Sequence, residues 1–325
     1  MKKIIICALC IIFISGCSAD ADSIFTDNEL SILDAYGLAE KAQNDCSNQT
    51  TVKKMLMNDF KKSNFETYCE LDVDNVDGLN ELISNNVSNE DIKKYESVSY
   101  FDSDKISRYL SYDAKTVKER ILSVNMNKDL EPFSDNATVL TSIDKKTLIN
   151  QYYRISKIYE PEDLKSIDTV CDGPICHDAY VNSETAKAFK KMTKAAKDEN
   201  IDIYAVYGYM TLEEQDQYYL MLSLTKGLKY AQKNAAVSGF SDLGSGYGLI
   251  IGINNLSENK VAESDEYQWL KENMHKYGFI VRYDKGKEDE TGYDYNPLQL
   301  RYVGLDLAEK LYKNDMSMEY YYATK

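Results

Sequence analysis

Histidine is almost missing from this chain of 325 residues: it occurs only as His177 and His275. That scarcity removes most opportunities for imidazole ligands or an imidazole base at neutral pH. No basic block interrupts the acidic balance. Lysine and arginine total 38 against 53 aspartates and glutamates, a formal charge of −15. Such a chain is a poor nucleic-acid binder and offers no polybasic membrane patch. The apolar run Ile4 to Ile14 has eleven residues, too few to span a bilayer as a helix. Residues 18–147 contain no glycine-rich phosphate loop, no paired histidines and no nucleophile elbow. Proline (4) and tryptophan (1) are scarce, while tyrosine is abundant (27). Tyrosine-rich surfaces suit sugar or peptide contact, but a surplus of Lys, Asn, Ile and Tyr also follows from an AT-rich genome.

What is present begins with a leader. Met1-Lys2-Lys3 is basic, Ile4 to Ile14 is apolar, and Ile14-Ser15-Gly16-Cys17 follows. The order is that of a signal peptide, and its ending resembles a bacterial lipobox, with Cys17 as the lipidated residue of the mature chain. An ordinary signal peptide with a chance cysteine is the alternative. A lipid on Cys17 implies an exported protein tethered to the membrane and not spanning it. Export would place Cys46, Cys69, Cys171 and Cys176 where disulfides persist. Sequence order favours Cys46–Cys69 and Cys171–Cys176, one of three possible pairings. Cys171, Cys176 and His177 as metal ligands is the competing reading, and it lacks a fourth ligand nearby.

Residues 17–27 are a polar tether. From 28 to about 147 the pattern is one of short helices. Asn28–Ala42 carries Leu30, Ile32, Leu33, Tyr36 and Leu38 at helical spacing. Val52–Phe65, the region around Leu79–Ile83, Asp91–Tyr95, Asp104–Tyr112 and Ala114–Val124 read similarly, with Asp113 placed to cap the last. In the C-terminal part, Ser183 is placed to cap a helix whose apolar face is Ala186, Phe189, Met192 and Ala196. Ile201–Gly208 reads as a strand. Thr211 and Glu214 form a capping box for the helix that follows. Tyr247–Ile253 is a nearly continuous apolar run, as for a strand buried on both faces. Ser264 caps a helix burying Tyr267, Leu270, Met274 and Trp269, the last of which is also a cleft candidate. Gly278 turns into the strand Phe279–Tyr283, and a final helix covers Leu305–Lys313 ahead of a tyrosine-rich tail.

The stretch Trp269–Gly304 resembles the C-terminal half of the VanY-like D-alanyl-D-alanine carboxypeptidases, zinc peptidases of the LAS type that trim cell-wall stem peptides. The family ends it with Glu-Pro-Trp-His-Leu-Arg-Tyr-Val-Gly; here it reads Asn296-Pro297-Leu298-Gln299-Leu300-Arg301-Tyr302-Val303-Gly304. Tyr159-Glu160-Pro161-Glu162-Asp163-Leu164 is similar to the family's Tyr-x-Pro-x-Asp-Leu turn. The family's Ser-Gly-Tyr-Arg-Ser matches Tyr207-Gly208-Tyr209-Met210-Thr211, so Met210 stands where an active-site Arg is expected. The family's Ser-Glu-His-x-x-Gly-x-Ala-x-Asp matches Ser241 to Ile250, with Leu243 and Ile250 at the two metal-ligand positions. The resemblance covers about the last 180 residues, and Tyr109–Asn127 is similar to the segment preceding the catalytic domain in many relatives.

The resemblance therefore implies the fold and speaks against its usual chemistry. The family's zinc needs three ligands and a nearby carboxylate base. Leu243, Ile250 and Gln299 occupy the ligand positions, and the base position is Asn296, an amide without a useful proton affinity. Two histidines in the whole chain leave no register that restores the site. A buried Asp without its cation would be an unpaired charge, a cost that Ile removes. A decaying gene copy is the bland alternative, and the ordered capping and patterning argue against it. Ser241 as a nucleophile lacks an activating His; Asp242 with Glu213 as a carboxylate pair rests on no readable separation.

The expected fold is α+β: a signal peptide (1–16), a tether (17–27), a helical region (28–147) and a VanY-like domain (148–325) with a mostly antiparallel sheet flanked by helices. No metal or other cofactor is expected. The function expected first is that of a catalytically dead, lipid-anchored envelope protein at the outer membrane face, binding peptidoglycan stem peptide or a wall-associated partner. Tyr209, Gln215, Ser241, Tyr247, Trp269 and Arg301 are its candidate cleft residues. An active carboxypeptidase with a non-standard site and a purely structural lipoprotein are the alternatives. An open polar cleft would favour binding, whereas one closed by Met210, Leu243 and Ile250 would favour a scaffold.

Overall fold

The structure, a computed structural model, describes residues 23–172 and 175–325, and does not describe the side chains of 169–172, 175–177 and 258–259. Cys17 lies outside the described residues, as do the side chains of Cys171, Cys176 and His177. The chain divides into two compact units, the first ending at Ile106 and the second running from Ser107 to Lys325.

The first unit is helical: α1 (Asp27–Ala35), α2 (Ala39–Asn44), α3 (Gln49–Met57), α4 (Phe65–Glu70), α5 (Leu79–Ser84) and α6 (Asn89–Glu96). Thr26 and Glu29 form a capping box at α1. The expected single helix Asn28–Ala42 is broken in two, because Gly37 takes φ +70° between α1 and α2. Leu33, Val52, Met55, Phe65, Tyr68, Leu71 and Leu82 make a small core. A disulfide joins Cys46 to Cys69, tying α4 to the start of α3 across 23 residues. One carboxyl here is out of place: both oxygens of Glu96, at the end of α6, are buried without a hydrogen-bond partner. Burial, aided by the negative charge of Asp77, pushes its pKa up to about 8.

The second unit begins with α7 (Ile106–Ser111) and α8 (Val117–Asn125), followed by a short parallel pair, β1 (Thr138–Leu140) and β2 (Tyr153–Ile155). The cap of α8 is Thr116, whose hydroxyl accepts from Glu119 N–H; Asp113 lies too far upstream. The boundary drawn at 147/148 moves to 106/107, because residues 107–147 are bonded into this unit. Arg108 makes a forked pair with Asp129 at 2.6 and 2.8 Å, Asn125 donates to the Ala323 carbonyl, and Tyr322 donates to the Lys146 carbonyl.

The hairpin β3 (Leu164–Asp172) and β4 (Ile175–Asn182) leads into α9 (Ser183–Asp198). Asn182, and not Ser183, caps this helix by accepting from Glu184 N–H at 2.9 Å. Then come β5 (Ile203–Tyr207), α10 (Leu212–Lys226), α11 (Leu228–Asn234), β6 (Gly248–Ile253), α12 (Asp265–Asn273), β7 (Phe279–Tyr283), β8 (Asn296–Tyr302), α13 (Leu305–Lys313) and α14 (Met318–Ala323). The main sheet is antiparallel throughout, in the order β5-β6-β8-β7. Leu249, Ile251, Ile253, Val281 and Leu300 form one face of it and pack under Phe189, Met192 and Ala196 of α9 and Tyr267 and Leu270 of α12. Strand alternation sends Ile250 and Gln299, which are register partners, to the opposite face.

That opposite face carries a buried chain of charges. Asp242, in the 3-10 turn Asp242–Ser245 before β6, receives Arg301 Nη1–H on one oxygen and Arg282 Nε–H on the other. Arg282 in turn makes a forked pair with Glu319 at 2.7 and 3.1 Å. All four side chains are 2% exposed or less. Arg301 Nη1 also donates to Ser245 Oγ at 3.0 Å, and its Nη2 reaches the Thr147 carbonyl at 3.1 Å. Burial alone would lower the Arg282 guanidinium, but Glu319 and Asp242 outweigh it and hold it well above its usual range.

Two expectations follow. Asp242→Asn leaves Arg301 buried without a counter-charge while Arg282 keeps Glu319, and should destabilise the second unit by about 3–5 kcal/mol in denaturant titrations. Glu96 holds a proton in the folded state up to about pH 8 that the unfolded chain releases above about pH 4.3. Stability of the first unit should thus fall as pH rises through that window. Glu96→Gln should flatten the fall and raise the melting temperature at pH 8, by about 4–8 °C per kcal/mol relieved, as read in melts from pH 4 to 9.

Candidate functional site

The positions matched to the family's catalytic motifs meet where three segments close on the outer face of β8. Met210 precedes α10, Leu243 lies in the 3-10 turn, and Gln299 projects from β8; with Gln215, Tyr218, Asn234, Ser241 and Tyr283 they surround a single small space. Its volume is about 20 Å³, room for roughly one water molecule. Met210, Leu243 and Gln299 are each at most 6% exposed. Ile250, half-buried beside Gln299 in register, does not line the space.

Local backbone bonds hold this closure. Met210 N–H donates to the Leu243 carbonyl at 3.1 Å, fastening the two plugging residues together. Gln215 is 2% exposed. Its amide donates to the Met210 carbonyl at 2.9 Å and accepts from Gly239 N–H at 3.0 Å. Ser241 Oγ accepts from Leu243 N–H at 3.2 Å and starts the 3-10 turn. Gly246 ends that turn at φ +76°, a left-handed conformation that glycine adopts without strain. Gly208 lets two strands meet, since a Cβ there would lie 2.1 Å from the Tyr180 carbonyl oxygen.

The candidate cleft residues therefore separate. Gln215 and Ser241 line the space, but as clamp and cap. Tyr209 is bound through its backbone N–H to the Tyr180 carbonyl and does not line the space; its half-buried phenol is pushed up by burial and by Glu160 and Glu214. Tyr247 lies under the Arg301 guanidinium, 5.5 Å from ring centre to Cζ. Two placements correct the sequence reading. Arg301 is wholly buried and commits both terminal nitrogens to Asp242, Ser245 and backbone carbonyls, while its Nε is buried without a partner, so no part of it is exposed to a ligand. Trp269 packs on the core beneath the other sheet face, because α12 covers that side. Sequence reasoning also passed over Tyr218, Asn234 and Tyr283 in the lining, and Arg282 and Glu319 in the charge network. An Arg inside the apolar strand Phe279–Tyr283 was the available signal for the network, since a buried arginine demands an acid.

Asn296, at the family's base position, bends its side-chain oxygen back to accept Leu298 N–H at 3.0 Å. His275 sits elsewhere, stacked on Tyr312 with ring centroids 3.7 Å apart and its pKa lowered by burial and then by Lys276. The lining thus presents a thioether, an isobutyl group, amides, phenols and a hydroxyl, with no carboxylate, imidazole or thiolate. These groups do not fit a zinc ion, which takes His nitrogen, Cys sulfur or carboxylate oxygen. Among the described residues no group of three His, Cys, Asp or Glu side chains is close enough to hold a metal.

Comparison with known proteins places the domain. Residues 178–305 match the family model described as VanY, D-alanyl-D-alanine carboxypeptidase. The chain is similar to the putative carboxypeptidase YodJ of Bacillus subtilis, 34% identical over 180 residues, which are 54% of this chain and 66% of that protein. It spans just under two thirds of that relative's length. A D-alanyl-D-alanine carboxypeptidase of Enterococcus faecium is 27% identical over 235 residues, 66% of this chain and 74% of the relative. Among solved structures, the LdcB LD-carboxypeptidase, whose structure concerns peptidoglycan recognition, is similar with a TM-score of 0.52 and 31% identity, over 59% of this chain and 92% of that one. The antiparallel sheet, the Asp242 turn and the Asn296–Gly304 strand end are set in a chain that belongs to the VanY-like D-alanyl-D-alanine carboxypeptidase family.

Proposed function

We propose that this protein is a non-catalytic member of its family, working at the outer face of the cell membrane. The observation that carries the reading is the closed, uncharged space bounded by Met210, Leu243 and Gln299. Hydrolysis by the family's route needs an activated water and a base in an open site. Here the lining supplies neither acid nor base, and a volume near 20 Å³ cannot admit a peptide terminus, since small-ligand pockets run to about 300 Å³ and more. The neighbours' peptidoglycan-related names support a role in the envelope. The closure weighs against a stem peptide lying in the ancestral cleft and toward a wall-associated partner met on the outer surface, with the sheet as a rigid body. The leader ending in Cys17 supports a lipid anchor. No helix among the described residues is long and apolar enough to cross a membrane.

Two measurements test this reading. The purified protein should release no D-Ala from a stem pentapeptide before or after zinc loading and should retain no stoichiometric metal; turnover abolished by a chelator would establish an active peptidase instead. The expressed chain should fractionate with membranes, and Cys17→Ser should shift most of it to the soluble fraction; unchanged fractionation would remove the lipid anchor.

A further inference from the structure

The largest cavity described in the second unit, about 900 Å³, lies away from the closed site. It runs between α9 and the facing edges of β3 and β5, with Phe189, Ile203 and Ile167 in its floor. Lys187, Lys190, Lys194 and Lys197 line one wall, all exposed. With Lys191 they fall within about 120° of arc at 100° per residue, and from Lys187 to Lys197 they extend about 15 Å at 1.5 Å per residue.

This face is unusual for the chain. Acids outnumber bases 53 to 38, and most described ion pairs use lysine, as in Lys145–Glu184, Lys271–Asp284 and Lys313–Glu309. None of the five α9 lysines enters an ion pair among the described residues. The acids across the groove are largely committed: Asp163 pairs with Lys165 at 3.1 Å, and Asp168 accepts Ala205 N–H at 3.0 Å; Asp202 stands at one end. The sequence showed no basic block because the four lining lysines are spaced by three and four; only the helix gathers them.

We propose that this groove binds a linear phosphodiester polyanion, seated along α9 with its phosphates on successive lysines and its aliphatic segments on the apolar floor. Three features select that ligand. The lysine row repeats about once per helical turn, 5.4 Å, which suits a polymer over a single anion. The lining contains no arginine, so its charges are lysine point charges, one of the usual ways of holding phosphate, without the fork that serves carboxylate and phosphate alike. The apolar floor is recessed between the helix and the strands, out of reach of a flat bilayer. The inference is independent of the closed site and stands whether or not the domain is catalytic.

The test is titration of the detergent-solubilised full chain with a short synthetic poly(glycerol phosphate) across a salt series. Saturable binding is expected, with a log–log salt slope of about −3 if four phosphates are neutralised at roughly 0.7 each. The double charge reversal Lys190→Glu with Lys194→Glu should weaken binding at least tenfold. Both side chains are exposed, so the melting temperature should stay unchanged. Reversal of Lys226 and Lys229, at the exposed α10–α11 tip, should leave affinity as it was. Absence of binding at low salt, equal loss in both double variants, equal affinity for poly-glutamate, or lysine-dependent capture on anionic vesicles would each overturn the proposal.

Discussion

The second unit depends on a four-membered chain of buried charge, Glu319–Arg282–Asp242–Arg301. Each member comes from a different element: α14, β7, the turn before β6, and β8. A buried ion is costly unless every charge finds its opposite, so these elements are held in one arrangement or the network fails. Arg301 extends the constraint by donating to three carbonyls among residues 144–147. That is why the segment before the sheet belongs with it. The net worth of such a network in stability is modest, since a hydrophobic replacement could match it; what it supplies is a single permitted register for turn, strand and C-terminal helix.

The turn that carries Asp242 also carries Leu243, so the network fixes the plug. On one side of the turn two guanidiniums meet a carboxylate; on the other an aliphatic side chain meets Met210 and Gln299. The electrostatics of the two sides are opposite. Charge is concentrated where opposite charges stand, and excluded where none does. A carboxylate or imidazole at the plug would lie in this small space with neutral amides and phenols for company. The neutral lining lets so small a space stay closed, and it follows from the same desolvation physics as the charged network beneath.

Much of this was legible in the sequence where local chemistry decides. The capping box at Thr211, the Ser264 cap, the strands at 203–207, 248–253 and 279–283 and the last helix came from short-range patterns. Motif matching placed Met210, Leu243 and Gln299 together, which no periodicity could have done. The misplacements have physical causes. Trp269 and Arg301 are cleft candidates of the family reading, but the path of α12 and strand alternation put one in the core and the other in an ion network. Asp113 lost the α8 cap to Thr116, and Ser183 lost the α9 cap to Asn182, because equivalent oxygens compete at helix starts and the backbone path chooses. Glu319 was hidden in a tyrosine-rich tail whose folding back could only be seen in three dimensions.

The clamp formed by Met210, Leu243, Gln215 and Gly239 has an evolutionary consequence. A lineage carrying it sits at the bottom of a ramp. An imidazole at 243 alone would have to displace packed neighbours from a space of about 20 Å³ and would find no cation-binding companion; a carboxylate at 250 or a base at 296 would gain nothing until the others arrived. Each single step is uphill, and only the combination could be rewarded.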